Sequence, residues 1–310
     1  MQNWLLMALI APFLWALVAI VDTYFVHDVY EDEYDGMVVS GVFQLLPWLL
    51  VPVGAIEFTF SSAQIAGFAF VAGGMLALSF FCYFKALFIR NDAVLMQTLW
   101  TVGVPVVPFF AYFLIGEVLT SAHYAGIGIA FIGILLFNFD GNVKRIGFSR
   151  IVFPMVGAIV FFSLYMVFAR KAHDLSPLDF WSVYLLFSFG ATATAFAVLV
   201  IAKKNAIEKA RKIVRLSGKY FYAFLCTEGL YLAGTITSQK AISLAPAVSF
   251  VVVIESLVPV FVMVVSLFLM LVLKRLGNIA IGDVYRQQLS GVWIKILALV
   301  FLAIGIYTVA

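Results

Sequence analysis

Ten runs of apolar residues, each near or above twenty long, follow one another along this chain, at approximately 3–26, 37–56, 64–84, 92–115, 121–139, 151–171, 178–202, 219–240, 246–273 and 291–309. A helix rises 1.5 Å per residue, so about 20 residues cross a bilayer core of roughly 30 Å. The runs are too long for strands and too uniformly apolar for an outer-membrane barrel, whose strands alternate over about ten residues. A helix satisfies all its backbone groups within one segment, which is what lipid demands. Hydrophobic residues fill 65% of the 310 positions and charged ones 11%. Soluble domains carry about half and a quarter, so the apolar excess must face lipid. The expectation is an all-α integral membrane protein of ten transmembrane helices, with the lipid bilayer as its obligatory partner. The first run lacks a basic leader and a small-residue cleavage site, and reads as a retained span.

Charge sits in the connections. The first loop, His27 to Gly36, holds Asp28, Glu31, Asp32, Glu33 and Asp35 and no Lys or Arg. The seventh holds Lys203, Lys204, Lys209, Arg211, Lys212 and Arg215, with Lys219 at its edge. Ile207, Ala210, Ile213, Val214 and Leu216 interleave with them, so the segment reads either as an amphipathic interfacial helix or as a solvated loop with anchoring charges. The odd-numbered loops carry 15 Lys and Arg and the even ones 3. The positive-inside rule therefore puts the odd loops in the cytoplasm and both termini outside, in a plasma (inner) membrane. No surface for nucleic acid is discernible in a net charge of +3. Cys82 and Cys226 lie in apolar runs with no partner at ligand spacing, so neither a disulfide nor a metal site is expected, and no cofactor motif occurs.

The chain repeats itself. Ala93-Val94 through Val104-Pro105-Val106 matches Ala247-Val248 through Val258-Pro259-Val260 without a gap. Lys85-Ala86-Leu87 matches Lys240-Ala241-Ile242, Ile132-Gly133-Ile134 matches Ile304-Gly305-Ile306, and His27-Asp28 matches His173-Asp174. The halves are 1–145 and 146–310, the second with an insertion around Lys274 to Gln288 between its last two helices. Five helices is an odd number, so the second half enters the membrane from the opposite side. Inverted repeats of this kind hold a binding site near the midplane at their interface.

Ala86-Leu87, Pro105, Gly116-Glu117-Val118-Leu119-Thr120, Gly126 and Gly133 together resemble the EamA branch of the drug/metabolite transporter superfamily, as does the aromatic Trp15 in the first helix. Val118 stands where Arg or Lys is frequent in that pattern, and the second half has no matching Gly-Glu-x-Leu-Thr junction. The resemblance implies a ten-helix carrier with a central cavity lined by the first, third, fourth, sixth, eighth and ninth helices. It also implies a small metabolite, amino acid or drug-like solute, with both termini inside, against the charge count.

Ionisable groups within spans are costly and usually face a cavity or a partner. Glu255 is the sharpest candidate, four residues before Pro259, whose missing N–H leaves the Glu255 carbonyl without its helical donor. It reads as a proton or amine site, or as a structural pair with Lys240 or Lys85. Glu228, with Tyr231 and Thr235 one and two turns on, forms a polar stripe. Lys85 and Lys240 match by repeat, and either line the cavity or snorkel to the interface. Trp15, Gln97 and Trp100 suit stacking on a solute and bonding it; Asp22 reads as interfacial, and Glu117 as support for the turn into the fifth helix. Pro105 and Pro259 are bend sites. These residues favour a secondary exporter or exchanger of a small polar solute, with protons as a candidate coupling ion. The alternative is a membrane-embedded enzyme acting on a lipid or peptide, though no His-Glu-x-x-His, Gly-x-Ser-x-Gly or phosphate-loop motif occurs.

Overall fold

The computed structural model describes residues 3–60, 62–91, 93–137, 148–176, 179–275 and 292–309. Among them every regular element is helical: α1 (Asn3–Asp28), α2 (Glu33–Phe43), α3 (Ala63–Ile89), α4 (Ala93–Trp100), α5 (Gly103–Ile115), α6 (Ser121–Phe137), α7 (Phe148–Leu175), α8 (Phe180–Ala202), α9 (Ala206–Lys219), α10 (Phe221–Leu244), α11 (Val248–Glu255), α12 (Val258–Arg275) and α13 (Val292–Val309). Five segments are long and apolar enough to cross a bilayer: α1, α3, α7, α8 and Val248–Phe268 of α11 and α12. The protein is thus an all-α protein of membrane type. The second-half insertion falls largely outside the described residues.

Three of the ten apolar runs are not single helices. The second begins earlier than expected, where Asp32 caps α2 by accepting the Tyr34 N–H at 3.1 Å. It ends at Phe43, ahead of Pro47, and continues only as a short 3-10 helix, Leu46–Leu50, before turns at Pro52 and Gly54. Proline at the head of a helix is tolerated, whereas inside one it removes a donor and clashes with the preceding turn. The fourth run divides into α4 and α5, and the ninth into α11 and α12. The two breaks fall at residues 101–102 and 256–257, each just before the matched Pro105 and Pro259. Without a donor at Pro105, the Thr101 carbonyl accepts instead from Val104 at 3.0 Å. At the second break Leu257 bonds Ile254 at 3.0 Å and the helix resumes with Phe261 bonded to Leu257 at 3.1 Å. Both are tightened turns forced by the prolines.

In packing, α3 runs along α7 and α8, α1 along α10, and α6 along α13. Lipid tails are as apolar as leucine, so helix contacts in a membrane depend on close approach of small residues. A Cβ on Gly305 would lie 2.7 Å from the Ala130 nitrogen and the Gly126 carbonyl oxygen, and one on Gly133 would lie 2.9 Å from the Ala298 carbonyl oxygen. The glycines of the matched Ile-Gly-Ile strings therefore serve one contact, α6 against α13. The long helix α10 carries Thr227, Glu228, Thr235, Ser238 and Gln239 inward, where they are buried.

The acidic first loop and the basic seventh lie together. Lys209 of α9 pairs with Asp35 at 2.8 Å and Asp32 at 3.2 Å, and Lys203 with Asp32 at 3.0 Å. Burial works against the Asp32 carboxylate, yet the Lys203 ammonium bonded to it and Lys209 beside it hold its carboxyl below the usual 3.8. Desolvation likewise opposes the Lys209 charge, but Asp35 and Asp32 overcome it and raise the ammonium above 10.5. The seventh loop is thus a helix, of the two readings the sequence allows. Ala206, Ala210, Ile213 and Leu216 pack inward, while Ile207 and Val214 stay exposed beside the remaining cations.

Candidate functional site

A cavity lies where α1, α3, α4, α7, α10 and α11 converge, with the first residues of α5 and α12 at its edge. The broken helices shape it. Thr101 stands in the first break and Glu255 at the edge of the second, in equivalent repeat positions, and both line the cavity while being 4% exposed. A helix that stops at a proline turn presents its last side chains and carbonyls to the interior, where a continuous helix would present only its flank.

The walls are aromatic. Trp100 meets Tyr83 edge-on at 5.4 Å and Phe162 at 5.2 Å, and Phe80 meets Tyr231 edge-on at 5.0 Å. Trp15 reaches in over Gly234, where a Cβ would lie 2.6 Å from the indole nitrogen. Polar groups are few and poorly partnered. Both carboxylate oxygens of Glu255 and the Trp15 indole nitrogen are buried without a hydrogen-bond partner, and the Tyr83 and Tyr165 hydroxyls make no well-aligned bond to the polar groups they face, Asp22 and Gln97 for the first and Ser238 and Gln239 for the second. Buried polar atoms are otherwise nearly always satisfied, so such a cluster around one cavity marks a place for a solute or water. Asp22 enters from α1 and faces Tyr83, which also faces the Gln97 amide.

Of the residues singled out from sequence, Trp15, Gln97, Trp100, Tyr231, Glu255 and Pro259 line this cavity, and Glu228, Lys85, Lys240 and Pro105 do not. Glu228 is 2% exposed and accepts from the Ser40 hydroxyl of α2 at 3.0 Å, a turn away from Tyr231. Lys85 lies exposed, 5.7 Å from the Phe81 ring centre, and Lys240 lies 4.5 Å over Phe180. Neither Lys meets Glu255, so the structural pairing open to that carboxylate from sequence is not formed. Asp22, read from sequence as interfacial, is 5% exposed and part of the cavity wall, on a helix α1 that continues to Asp28. Phe80, Tyr83, Phe162 and Tyr165 do not stand out in the sequence, since aromatic residues abound in every run. The one signal for Tyr83 is its place two residues before the repeated Lys-Ala pair.

Glu117 does more than support its own turn. Gly116, at φ 72°, ends α5 in a left-handed cap, and the Glu117 N–H bonds back to the Ala111 carbonyl at 3.1 Å. The left-handed glycine lets both the Gly116 and the Glu117 N–H groups return to the Ala111 carbonyl. It aims the Glu117 carboxylate at the start of α11, where it accepts from Val248 N–H at 2.8 Å, Ser249 N–H at 3.3 Å and the Ser249 hydroxyl. Nearby, Arg170 of α7 donates to the Ile242 and Ala245 carbonyls at the end of α10.

No protein-family model matches the chain, and no curated protein matches it. Among solved structures, a chain described only as a crystal structure of a protein is similar with a TM-score of 0.59 at 14% identity, over 100% of this chain and 98% of that one. At that identity the likeness concerns the fold alone, which this chain shares from end to end.

Proposed function

We propose that this chain is a secondary transporter, an exporter or exchanger of a small organic solute working by alternating access. In this reading it is an EamA-like protein of the drug/metabolite transporter superfamily, with ten spans in two inverted repeats, 1–145 and 146–310. The observation that carries the reading is a buried cavity holding an unpartnered carboxylate where two helices break before matched prolines. Broken helices that converge on a central site are how carriers expose polar groups within a membrane. Packing supports the repeat: α1 lies along α10 as α3 lies along α7, and α5 meets α7 as α12 meets α1. Each pair maps onto the other when the halves are exchanged.

The basic odd loops are the cytoplasmic ones in this reading. The pairing of the first and seventh loops supports their sharing a face. At the even-loop end, Glu117 ties the end of α5 to α11 and Arg170 ties α7 to the end of α10. The test is flux. Purified protein in vesicles should exchange a solute that is recovered chemically unchanged; a solute returned as a reaction product would instead favour the membrane-enzyme alternative.

A further inference from the structure

The acidic and basic groups of the cavity are of one kind. Asp22 from the first half and Glu255 from the second both line it, and among the described lining residues none is Lys, Arg or His. Glu255 keeps both oxygens unpartnered at 4% exposure, while Lys85 and Lys240 sit on aromatic rings outside. A buried carboxyl without a counter-charge holds a proton or meets a cation, and the lining supplies no cation of its own. Around the carboxyls stand the faces and edges of Trp15, Tyr83, Trp100, Tyr165 and Tyr231. Ring faces attract cations through their quadrupole, and an ammonium group is an ideal donor to tyrosyl and carboxylate oxygens.

We propose that the solute is an organic cation, an amine on an aromatic or apolar body, with its positive charge between Asp22 and Glu255. This rests on the carrier reading and narrows its substrate. A zwitterion would bring a carboxylate for which the described lining offers no cation. The two lysines that would have served it lie elsewhere.

The experiment uses one phenyl body with four headgroups: 2-phenylethylammonium, phenylalanine, phenylacetate and 2-phenylethanol. Binding to the full-length protein in lipid nanodiscs is measured by equilibrium dialysis, and exchange by counterflow in vesicles. The ammonium probe should bind at least about tenfold more tightly than the other three, and Glu255→Gln and Asp22→Asn should each weaken it about tenfold. Binding of 2-phenylethanol should change little, which also reports that the variants are folded. Equal or tighter binding of phenylalanine or phenylacetate would overturn the cation assignment. So would ammonium affinity indifferent to both substitutions, or no measurable binding of the ammonium probe at millimolar concentration. The carrier reading fails separately, if the ammonium binds as expected but never exchanges across the vesicle membrane.

Discussion

Glu117 and Val248, 131 residues apart in the chain, meet as carboxylate and backbone N–H at 2.8 Å. The first free N–H groups of α11 would otherwise lie without helical partners, and Glu117 supplies the acceptor from the other half of the molecule. A negative charge also suits the positive end of a helix dipole.

Glu117→Ala should therefore lower stability by about 1–2 kcal/mol, with Glu117→Gln losing less because its amide oxygen still accepts. Thermal unfolding in detergent, followed by tryptophan fluorescence, checks this. Equal midpoints for wild type and Glu117→Ala would mean that the contact does not brace the two halves.

Gly305 tests the close approach of α6 and α13. The nearest atoms to an added Cβ include backbone at 2.7 Å, so Gly305→Ala forces the helices apart and should cost about 1–3 kcal/mol. A Cβ added at Gly128, on the facing helix α6, would meet nothing within 4 Å. Gly128→Ala should be neutral or slightly stabilising, since alanine is the better helix former. Matching losses in the two variants would refute the packing argument.

The helical class is legible because lipid permits little else for runs of this length, and the two helix breaks because the prolines behind them stand in matched strings. What the sequence conceals is register and partner. Pro47, Pro52 and Gly54 lie in a run apolar enough to pass for a whole span, yet α2 ends at Phe43 ahead of them. Asp22 reads as interfacial because its apolar run fades after Val26, and nothing in that run announces that its side chain is buried against the cavity. Lys85 and Lys240 match by repeat, but each turns to a phenylalanine face and leaves the cavity. The partner of Glu117 cannot be read at all, since nothing local to Val248 announces a carboxylate from the other half.

The ion-pair latch between α9 and the first loop has a defined pH window. Asp32 is depressed in the folded state, so its contribution is present above 3.8 and is lost as pH falls through its lower folded value. Lys203 and Lys209 are raised, so theirs is present below 10.5 and is lost only as pH rises beyond it. Hydrogen exchange of α9 should be steady through the neutral range and quicken, beyond the intrinsic rate, only outside those limits. Lys209→Ala removes the cation facing Glu31, Asp32 and Asp35 and should loosen α9 by on the order of 1–2 kcal/mol, given its partial shielding. Unaltered α9 exchange in that variant would show that apolar packing alone seats the helix.

Glu255→Gln keeps the shape of the side chain and removes its ability to trade a proton for a cation. The variant should fold normally and, at saturating solute, lose the pH dependence of vesicle exchange that the wild type displays. A variant that carries solute with the wild-type pH profile would leave Glu255 a structural role only.

The broken helices offer a direct test of rocking. α4 contacts α12 and α5 contacts α11, and the course of the chain puts the first contact toward the odd-loop end and the second toward the even-loop end. Each helix has its break just before a proline, so each can pivot there at the loss of few hydrogen bonds. The Glu117 carboxylate holds the α5–α11 contact together. If the halves rock, opening one contact must close the other. One cysteine pair across α5 and α11 and another across α4 and α12 should then respond in opposite senses to a carried solute, one crosslinking faster and the other more slowly. Adding Glu117→Ala should shift the same balance without solute, lowering the α5–α11 yield and raising the α4–α12 yield. A static kink that merely improves packing predicts yields indifferent to solute at both ends. It also predicts that Glu117→Ala lowers the first yield and leaves the second unchanged. That second pair therefore decides whether the two prolines form one coupled gate or two separate bends.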